Sequence, residues 1–365
     1  MSTTVVEPAA FDEARASAFE ERFLRALNDG ALCLMSSIGH RTGLFDVLAG
    51  QDTPVTSGAL AEASRLDERY VREWLGAMAV AGVVDYEPST DAYELPAEHA
   101  AAVTRAASPG NLAVYAQYIG LLGAVEDEIV RCFGEGGGVP YERFGRFHDV
   151  MAEDSGETVL PALLDDILPL VSGVTERLQQ GIRVLDVGCG RGRALNLMAS
   201  AFPASRFTGY DFSADAIAFA RNEAAERGNT NVEFAELDVA HLADRPDQEG
   251  YDLITTFDAV HDQADPLAVV SGIRRSLKPD GVYLAQDIKG SSHVDGDIGH
   301  PLGTILYTVS CMHCMTVSLA QGGRGLGAMW GREQAEDLFR EAGLREVEVR
   351  ELEHDPQNYY YICRP

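Results

Sequence analysis

Lysine is nearly absent from this chain. Of 29 basic side chains only Lys278 and Lys289 are lysines, and 57 acidic residues bring the net charge to −28. A surface this acidic repels phosphate backbones and anionic membranes, which argues against nucleic-acid and membrane-surface binding. Acid excess without lysine has two readings: adaptation to high salt, where screening relieves self-repulsion, or codon bias toward arginine. No run of 18 apolar residues occurs, so no transmembrane helix is expected. The opening segment MSTTVVEPAAFDEARASAFEERF has acids and no apolar stretch, unlike a secretory signal. The 6 cysteines are too scattered for a disulfide framework and read as reduced thiols of a cytoplasmic protein. No internal repeat is visible. Hydrophobic content of 46% and charged content of 24% are those of a globular chain, and 365 residues suffice for two domains.

Residues 1–105 read as a helical unit closing in a small hairpin. Phe23, Leu27, Leu34, Ile38, Phe45 and Leu48 form an apolar stripe at helical spacing over Arg22–Ala49, broken at Gly43. Two short helices follow, Thr56–Ala63 and Asp67–Ala81, with Thr56 and Asp67 as N-caps and Gly82 as the C-cap. Val83–Tyr86 and Ala92–Leu95 then flank Pro88-Ser89-Thr90-Asp91 as a hairpin. This is a winged-helix pattern, but its second helix begins Asp67-Glu68-Arg69-Tyr70-Val71-Arg72-Glu73, a poor face for phosphates. Dimerisation is the better role. Residues 106–180 form a helical connector interrupted by Gly134–Pro140, either a linker or a mobile loop at the mouth of a site.

From residue 181 to 365 strands and helices alternate. Strands are expected at Arg183–Val187, Arg206–Tyr210, Val232–Leu237, Asp252–Phe257 and Val282–Asp287, and helices at Arg193–Phe202, Ala214–Arg227 and Pro266–Leu277. This predicts an α/β fold with a doubly wound parallel sheet. Two tail strands, Glu346–Leu352 and Tyr359–Cys363, joined by the turn Asp355–Asn358, should pair antiparallel.

The strongest chemical signal is Leu185-Asp186-Val187-Gly188-Cys189-Gly190-Arg191-Gly192, a buried strand entering a glycine-rich turn that opens a helix. Glycines there let backbone approach a ligand closely. A dinucleotide fingerprint would place its third glycine at Arg193, and Asp186 puts a carboxylate where two phosphates would lie. An acid before a tight G-x-G-x-G suits a ligand with positive charge and no phosphate, such as S-adenosylmethionine, with its ammonium and sulfonium. Asp211 ends the second strand, where it can accept both ribose hydroxyls, and Asp238 ends the third, where it can accept from the adenine amino group.

These residues resemble class I S-adenosylmethionine-dependent methyltransferases. LDVGCGRG matches the first motif, Gly209-Tyr210-Asp211 the second, Glu236-Leu237-Asp238 the third and Phe257-Asp258 the fourth; Leu277–Gly281 matches the loop before the fifth strand. The resemblance implies a seven-stranded Rossmann-like sheet and a cofactor site of Asp186, Gly188, Gly190, Gly192, Asp211, Phe212, Asp238, Val239, Phe257 and Asp258. With the winged helix ahead of it, the chain is similar to small-molecule O-methyltransferases that dimerise through that domain. It also resembles winged-helix methyltransferases of unassigned substrate that share the stretches His313–Gly323 and Asn358–Tyr360. O-methyltransferases carry a His-Asp pair after the fourth strand with the histidine as general base, here His261-Asp262, although Gln263-Ala264 replaces the usual Trp-Ser. An imidazole can take a hydroxyl proton at neutral pH as the methyl is attacked, and Asp262 or Asp258 could orient it. The resemblance implies that residues 290–330 cover the acceptor as a lid, and Tyr141, His300, Tyr307, His313 and Trp330 are the substrate candidates.

Rival readings remain. Asp258, Asp262, Asp265 and Asp287 could gather around Mg²⁺ as in catechol-type enzymes. Cys311-Met312-His313-Cys314 could offer a thiol or a soft-metal ligand, but no second C-x-x-C completes a site. The expectation is S-adenosylmethionine, giving S-adenosylhomocysteine, without a metal. The expected reaction is methylation of a small-molecule hydroxyl by a cytoplasmic homodimer. Transfer to nitrogen, sulfur or carbon by proximity, or a cofactor-sensing regulator without catalysis, are the alternatives.

Overall fold

A computed structural model describes residues 11–244 and 249–365; the first ten residues of the segment read as unlike a secretory signal lie outside them. The chain divides into two units, Met1–Gly120 and Leu121–Pro365.

In the first unit the carboxylate of Asp12 accepts from the Arg15 amide at 3.0 Å, so helix α1 (Glu13–Thr42) starts well before the Arg22 expected from the apolar stripe. It ends at Gly43, whose φ of +75° a side chain would disfavour. Helices α2 (Leu44–Ala49), α3 (Ser57–Ser64) and α4 (Glu68–Val80) follow, the last two capped by Thr56 and Asp67 as expected. Ala81 closes α4, and Gly82, in the left-handed region, turns the chain into the hairpin β1 (Asp85–Glu87) and β2 (Ala92–Glu94). Phe45, Leu60, Trp74, Leu75 and Met78 form the core, with the Trp74 indole N–H donating to the Met35 carbonyl at 2.9 Å. Of the predicted stripe, Phe45 and Leu48 are buried there, whereas Phe23, Leu27, Leu34 and Ile38 are exposed.

The second unit is built on a sheet of β3 (Arg183–Val187), β4 (Arg206–Asp211), β5 (Val232–Glu236), β6 (Tyr251–Phe257), β7 (Leu277–Ile288), β8 (Glu346–Leu352) and β9 (Asp355–Arg364). Its order is β5-β4-β3-β6-β7-β9-β8, with β9 antiparallel to both neighbours and the first five strands parallel. Successive residues face opposite sides. Val184, Leu253 and Leu284 join one core, which takes in Leu163, Ile167 and Leu168 from residues 121–180; Leu185, Ile254 and Tyr283 join the other.

Two details depart from the sequence reading. β7 begins at Leu277 and absorbs Lys278–Gly281 through a register shift opposite Tyr251 and Leu253, where a loop was expected. The tail turn is Glu353-His354, because Asp355 pairs with Leu352 and its carboxylate takes Asn358 Nδ2 and the Tyr360 hydroxyl, locking Asp355–Asn358 into β9.

The Gly134–Pro140 stretch is docked rather than free. The Val139 amide donates to Thr316 Oγ1 at 2.8 Å, and a Cβ on Gly138 would lie 1.9 Å from the Thr316 carbonyl oxygen. The helical run Gly303–Ala320 has the length and hydropathy of a minimal membrane span; Thr316, Val317 and Ser318 on it are buried inside the unit, as in a core helix.

Candidate functional site

Strand order brings the acids of β3, β4, β6 and β7 to one edge of the sheet, where a parallel α/β sheet binds ligands. The glycine-rich turn after β3 is held down at this edge. Gly190 N–H donates to Asp211 Oδ2 at 2.8 Å, while Asp211 Oδ1 accepts from Ser213 N–H at 2.9 Å. Gly188 has φ +73° and packs so tightly that a Cβ would lie 2.6 Å from that of Ala259. At Gly190 a Cβ would meet nothing within 4 Å, so backbone is bare there.

Asp186, Gly188, Gly190, Gly192, Asp211, Phe212, Val239, Phe257, Asp258 and Asp262 all line one cavity, whose opposite wall is Tyr141, Phe147, His148 and Met151. Asp238 is not in the lining: its carboxylate is exposed, and its Oδ1 accepts from the Ala240 amide at 3.0 Å. Burial raises the carboxyls. Asp186 reaches about 7 despite the Thr255 hydroxyl donating to it at 2.7 Å, and Asp262 about 6. Asp258 reaches about 8 through burial and the charge of Asp287. Asp258 sits at φ +51° with Oδ2 accepting from Gln286 Nε2 at 2.9 Å; its buried Oδ1 has no partner among the described residues. Four desolvated carboxyls facing one cavity call for a cationic ligand. S-adenosylmethionine, with two positive centres and no phosphate, fits this donor set.

His261, 4% exposed, is not itself in the lining, which includes its chain neighbour Asp262. Its Nδ1 is 2.7 Å from Asp287 Oδ1, on the adjacent strand end. The expected partners, Asp262 and Asp258, do not hold the ring: Asp262 points to the cavity and accepts from Gln263, and Asp258 bonds Gln286. Burial alone would depress the His261 pKa, but Asp287 and the Cys314 thiol against the ring carry it well above the usual value.

The family models matching the chain are an Rv2258c-like winged HTH domain over residues 30–105 and a methyltransferase domain over residues 178–342. The chain is 33% identical over 120 residues to the ubiquinone biosynthesis O-methyltransferase of Paracidovorax citrulli, covering 32% of this chain and 49% of that one. It is 31% identical over 150 residues to the enzyme of the same name from Neisseria meningitidis, covering 40% and 60%. The match thus spans about half the length of these relatives. Among solved structures, mitomycin 7-O-methyltransferase superposes with a TM-score of 0.71 at 20% identity, over 97% of this chain and all of that one. Human N-acetylserotonin methyltransferase, solved with S-adenosylmethionine, gives 0.67 at 18% identity over 98% and 99%. Residues 178–342 are a methyltransferase domain.

Around this methyltransferase domain the lid candidates separate. Tyr141 lines the cavity. Trp330 is buried and donates its indole N–H to Asp287 Oδ1 at 3.1 Å, so it holds the partner of His261 rather than an acceptor. His300 Nδ1 accepts from the Leu302 amide, and the Tyr307 hydroxyl donates to Asp297 at 2.9 Å; neither lines the cavity. His313 is buried among aromatic rings. Asp265 caps the helix Pro266–Ser276 through the Ala268 amide, removing it from the supposed Mg²⁺ set. Among the described residues, Asp258, His261 and Asp287 offer ligand atoms within 4.8 Å of one another, but His261 and Asp287 are already each other's partner. His148 and Met151 went unread in the sequence, because helix Phe147–Glu157 reaches the site only through tertiary packing.

Proposed function

We propose that this methyltransferase moves the methyl group of S-adenosylmethionine to a hydroxyl of an uncharged small molecule, with His261 taking the hydroxyl proton. The cofactor supplies an electrophilic methyl group. Asp186, Gly188 and Gly190 would hold its methionine end and Asp211 its ribose. Cavity walls would align the acceptor, which is where most of the rate arises. The observation that carries the reading is the buried His261–Asp287 pair, 2.7 Å apart, with His261 next in the chain to the cavity-lining Asp262. Asp287 fixes the tautomer and stabilises the imidazolium that forms, a role worth about 10²–10⁴-fold in proton transfer. The O-methyltransferase names of the relatives favour oxygen as the accepting atom.

The regulator reading requires a basic winged helix, and Arg69 and Arg72 on α4 are tied to Glu73 and Glu68 one turn away. We further infer a homodimer through α1, supported by its exposed apolar stripe, and a cytoplasmic location, supported by six free thiols.

The test is transfer of labelled methyl from S-adenosylmethionine to fractionated cell extract by wild type and His261→Ala. Label in the small-molecule fraction that disappears with the variant supports the proposal. Equal label with both proteins removes His261 from the chemistry and points to an acceptor already nucleophilic, such as a thiolate. Gel shift at low salt tests the regulator.

A further inference from the structure

The cavity wall opposite the glycine-rich turn is carried by a jointed segment. Helix Glu126–Glu135 ends at Gly136, and Gly136 and Gly137 are both exposed, with φ of +74° and +79°. A Cβ on either would meet nothing within 4 Å, so nothing packs against this joint. Beyond it the chain is fastened to the helical run Gly303–Ala320 at Thr316 and at His313. The buried Val139 donates its amide to Thr316 Oγ1 at 2.8 Å. Phe147 stacks on the His313 imidazole with centroids 3.5 Å apart, and Phe144 meets it edge-on at 4.7 Å. Arg143 adds an exposed pair with Glu128, of a kind worth little. Tyr141 and Phe147, both on this segment, line the cavity.

The fastening at His313 is costly. Its ring is fully buried in a π-helical turn, Ser310–Cys314, and among the described residues neither Nδ1 nor Nε2 has a hydrogen-bond partner. Such turns are rare and concentrate at functional sites. A neutral imidazole carries one donor and one acceptor, and burying both unpaired is unfavourable. Phenylalanine would fill the same aromatic space without that cost.

We propose that Gly136–Phe147 is a gate on the cofactor cavity: it swings on Gly136 and Gly137, is latched at Thr316 and His313, and cofactor leaves only from its open fraction. Hinged segments of this kind set the rate of ligand exchange. Lifting Phe144 and Phe147 gives the imidazole nitrogens to water, so opening removes the cost that closure imposes. It also makes the latch sensitive to acid. Burial, with the charges of His261 and His148, holds closed His313 neutral, at about 3. In water the ring returns to about 6.5, so opening takes up a proton below that pH. The open fraction then rises about 10-fold from pH 7.5 to 5.5. The other titratable groups around the ring are the Tyr141 hydroxyl and the neighbouring Cys314 thiol. These, the two histidines and the cavity carboxyls all remain in His313→Phe, so their effects cancel when variant and wild type are compared.

The test is the dissociation rate of S-adenosylhomocysteine from the full chain at pH 7.5 and 5.5. The wild-type rate should rise by about 10-fold more than that of His313→Phe over this step. At pH 7.5 His313→Phe should release the ligand about 5-fold or more slowly, the value of one unpaired buried group. Thr316→Val, which leaves the Val139 amide unpaired in the closed gate, should release it about 5-fold or more faster. Damage to the cavity alone would speed both variants. A second readout needs no altered protein. Hydrogen-exchange protection of the Val139 amide should fall about 10-fold over the same pH step, while that of the β6 amides should not fall. A pH response shared by His313→Phe, two variants moving the same way, or a Val139 amide protected as strongly as β6 would overturn the gate. No methyl is transferred here, so failure of the His261 reading would show only in the label assay.

Discussion

Asp287 Oδ1 lies in hydrogen-bond contact with His261 Nδ1 at 2.7 Å, and the same oxygen accepts from the Trp330 indole at 3.1 Å and the Ile288 amide at 2.8 Å. One carboxylate oxygen is thus fixed from three directions, and the imidazole inherits that orientation. The first prediction follows from its charge. His261 must be neutral to accept a proton, and its pKa is raised, so the acid limb of kcat/KM should lie above pH 6.5. Asp287→Asn removes the opposing charge while burial remains. The limb should move to lower pH and the plateau rate fall about 10²-fold. A limb that stays in place would separate His261 from the rate-determining proton.

The cavity carboxyls make stability depend on pH. Asp186, Asp258 and Asp262 titrate near 7, 8 and 6 when folded, well above the ordinary 3.8. Between the two values the folded chain holds more protons than the unfolded one, so stability must fall as pH rises from about 4 to about 8, by up to about 1.4 kcal/mol per pH unit for each such group. Thermal unfolding of cofactor-free protein should show that decline, and Asp258→Asn should flatten its upper part. Bound S-adenosylmethionine, being cationic, should flatten it too. A melting temperature constant between pH 5 and 8 would contradict the buried carboxyls.

The glycine turn offers a sharper lesion. Gly188→Ala forces a side chain onto φ +73° and into the Ala259 methyl at 2.6 Å. Strain of this kind costs about 1–3 kcal/mol, and the loop must shift toward the cavity to relieve it. Isothermal titration should show S-adenosylmethionine affinity reduced about 10-fold or more; full affinity would place the cofactor elsewhere.

The parts of this site that could be read in advance were those carried by one strand and the residue after it. Asp186, Asp211 and Asp258 sit at strand ends, and strand order follows from the alternating pattern, so their convergence was foreseeable. Asp287 also ends a strand, yet nothing local says that it faces His261 rather than a metal; that depends on β6 and β7 being neighbours in register. The contacts of Trp330 and His300 were not legible for a related reason. Their partners, Asp287 and the Leu302 amide, are set by how residues 290–330 fold back on the sheet, and no period in that segment records it. Asp238 stands outside the lining because the residue after it, Val239, turns inward while the carboxylate accepts from the Ala240 amide.

The stripe on α1 carries the last prediction. Phe19, Phe23, Leu27, Leu34 and Ile38 recur at spacings of four and seven, so they share one helix face, and each is at least 44% exposed. Capping by Asp12 extends the helix far enough to display them all, although only Phe45 and Leu48 of the stripe predicted from the sequence enter the core. An apolar face of this length on a chain of net charge −28 supports the proposed interface, since charge repulsion keeps the rest of the surface apart. A second copy can pair such a face with itself about a two-fold axis. Light scattering should give a dimer at micromolar concentration, rising in stability with salt as the acidic surfaces are screened. Phe23→Glu with Leu27→Glu should give a monomer that still binds S-adenosylmethionine, because the cofactor cavity lies wholly within residues 141–263. A wild type that is monomeric across this range would leave the face to some other partner and remove the dimer from the account.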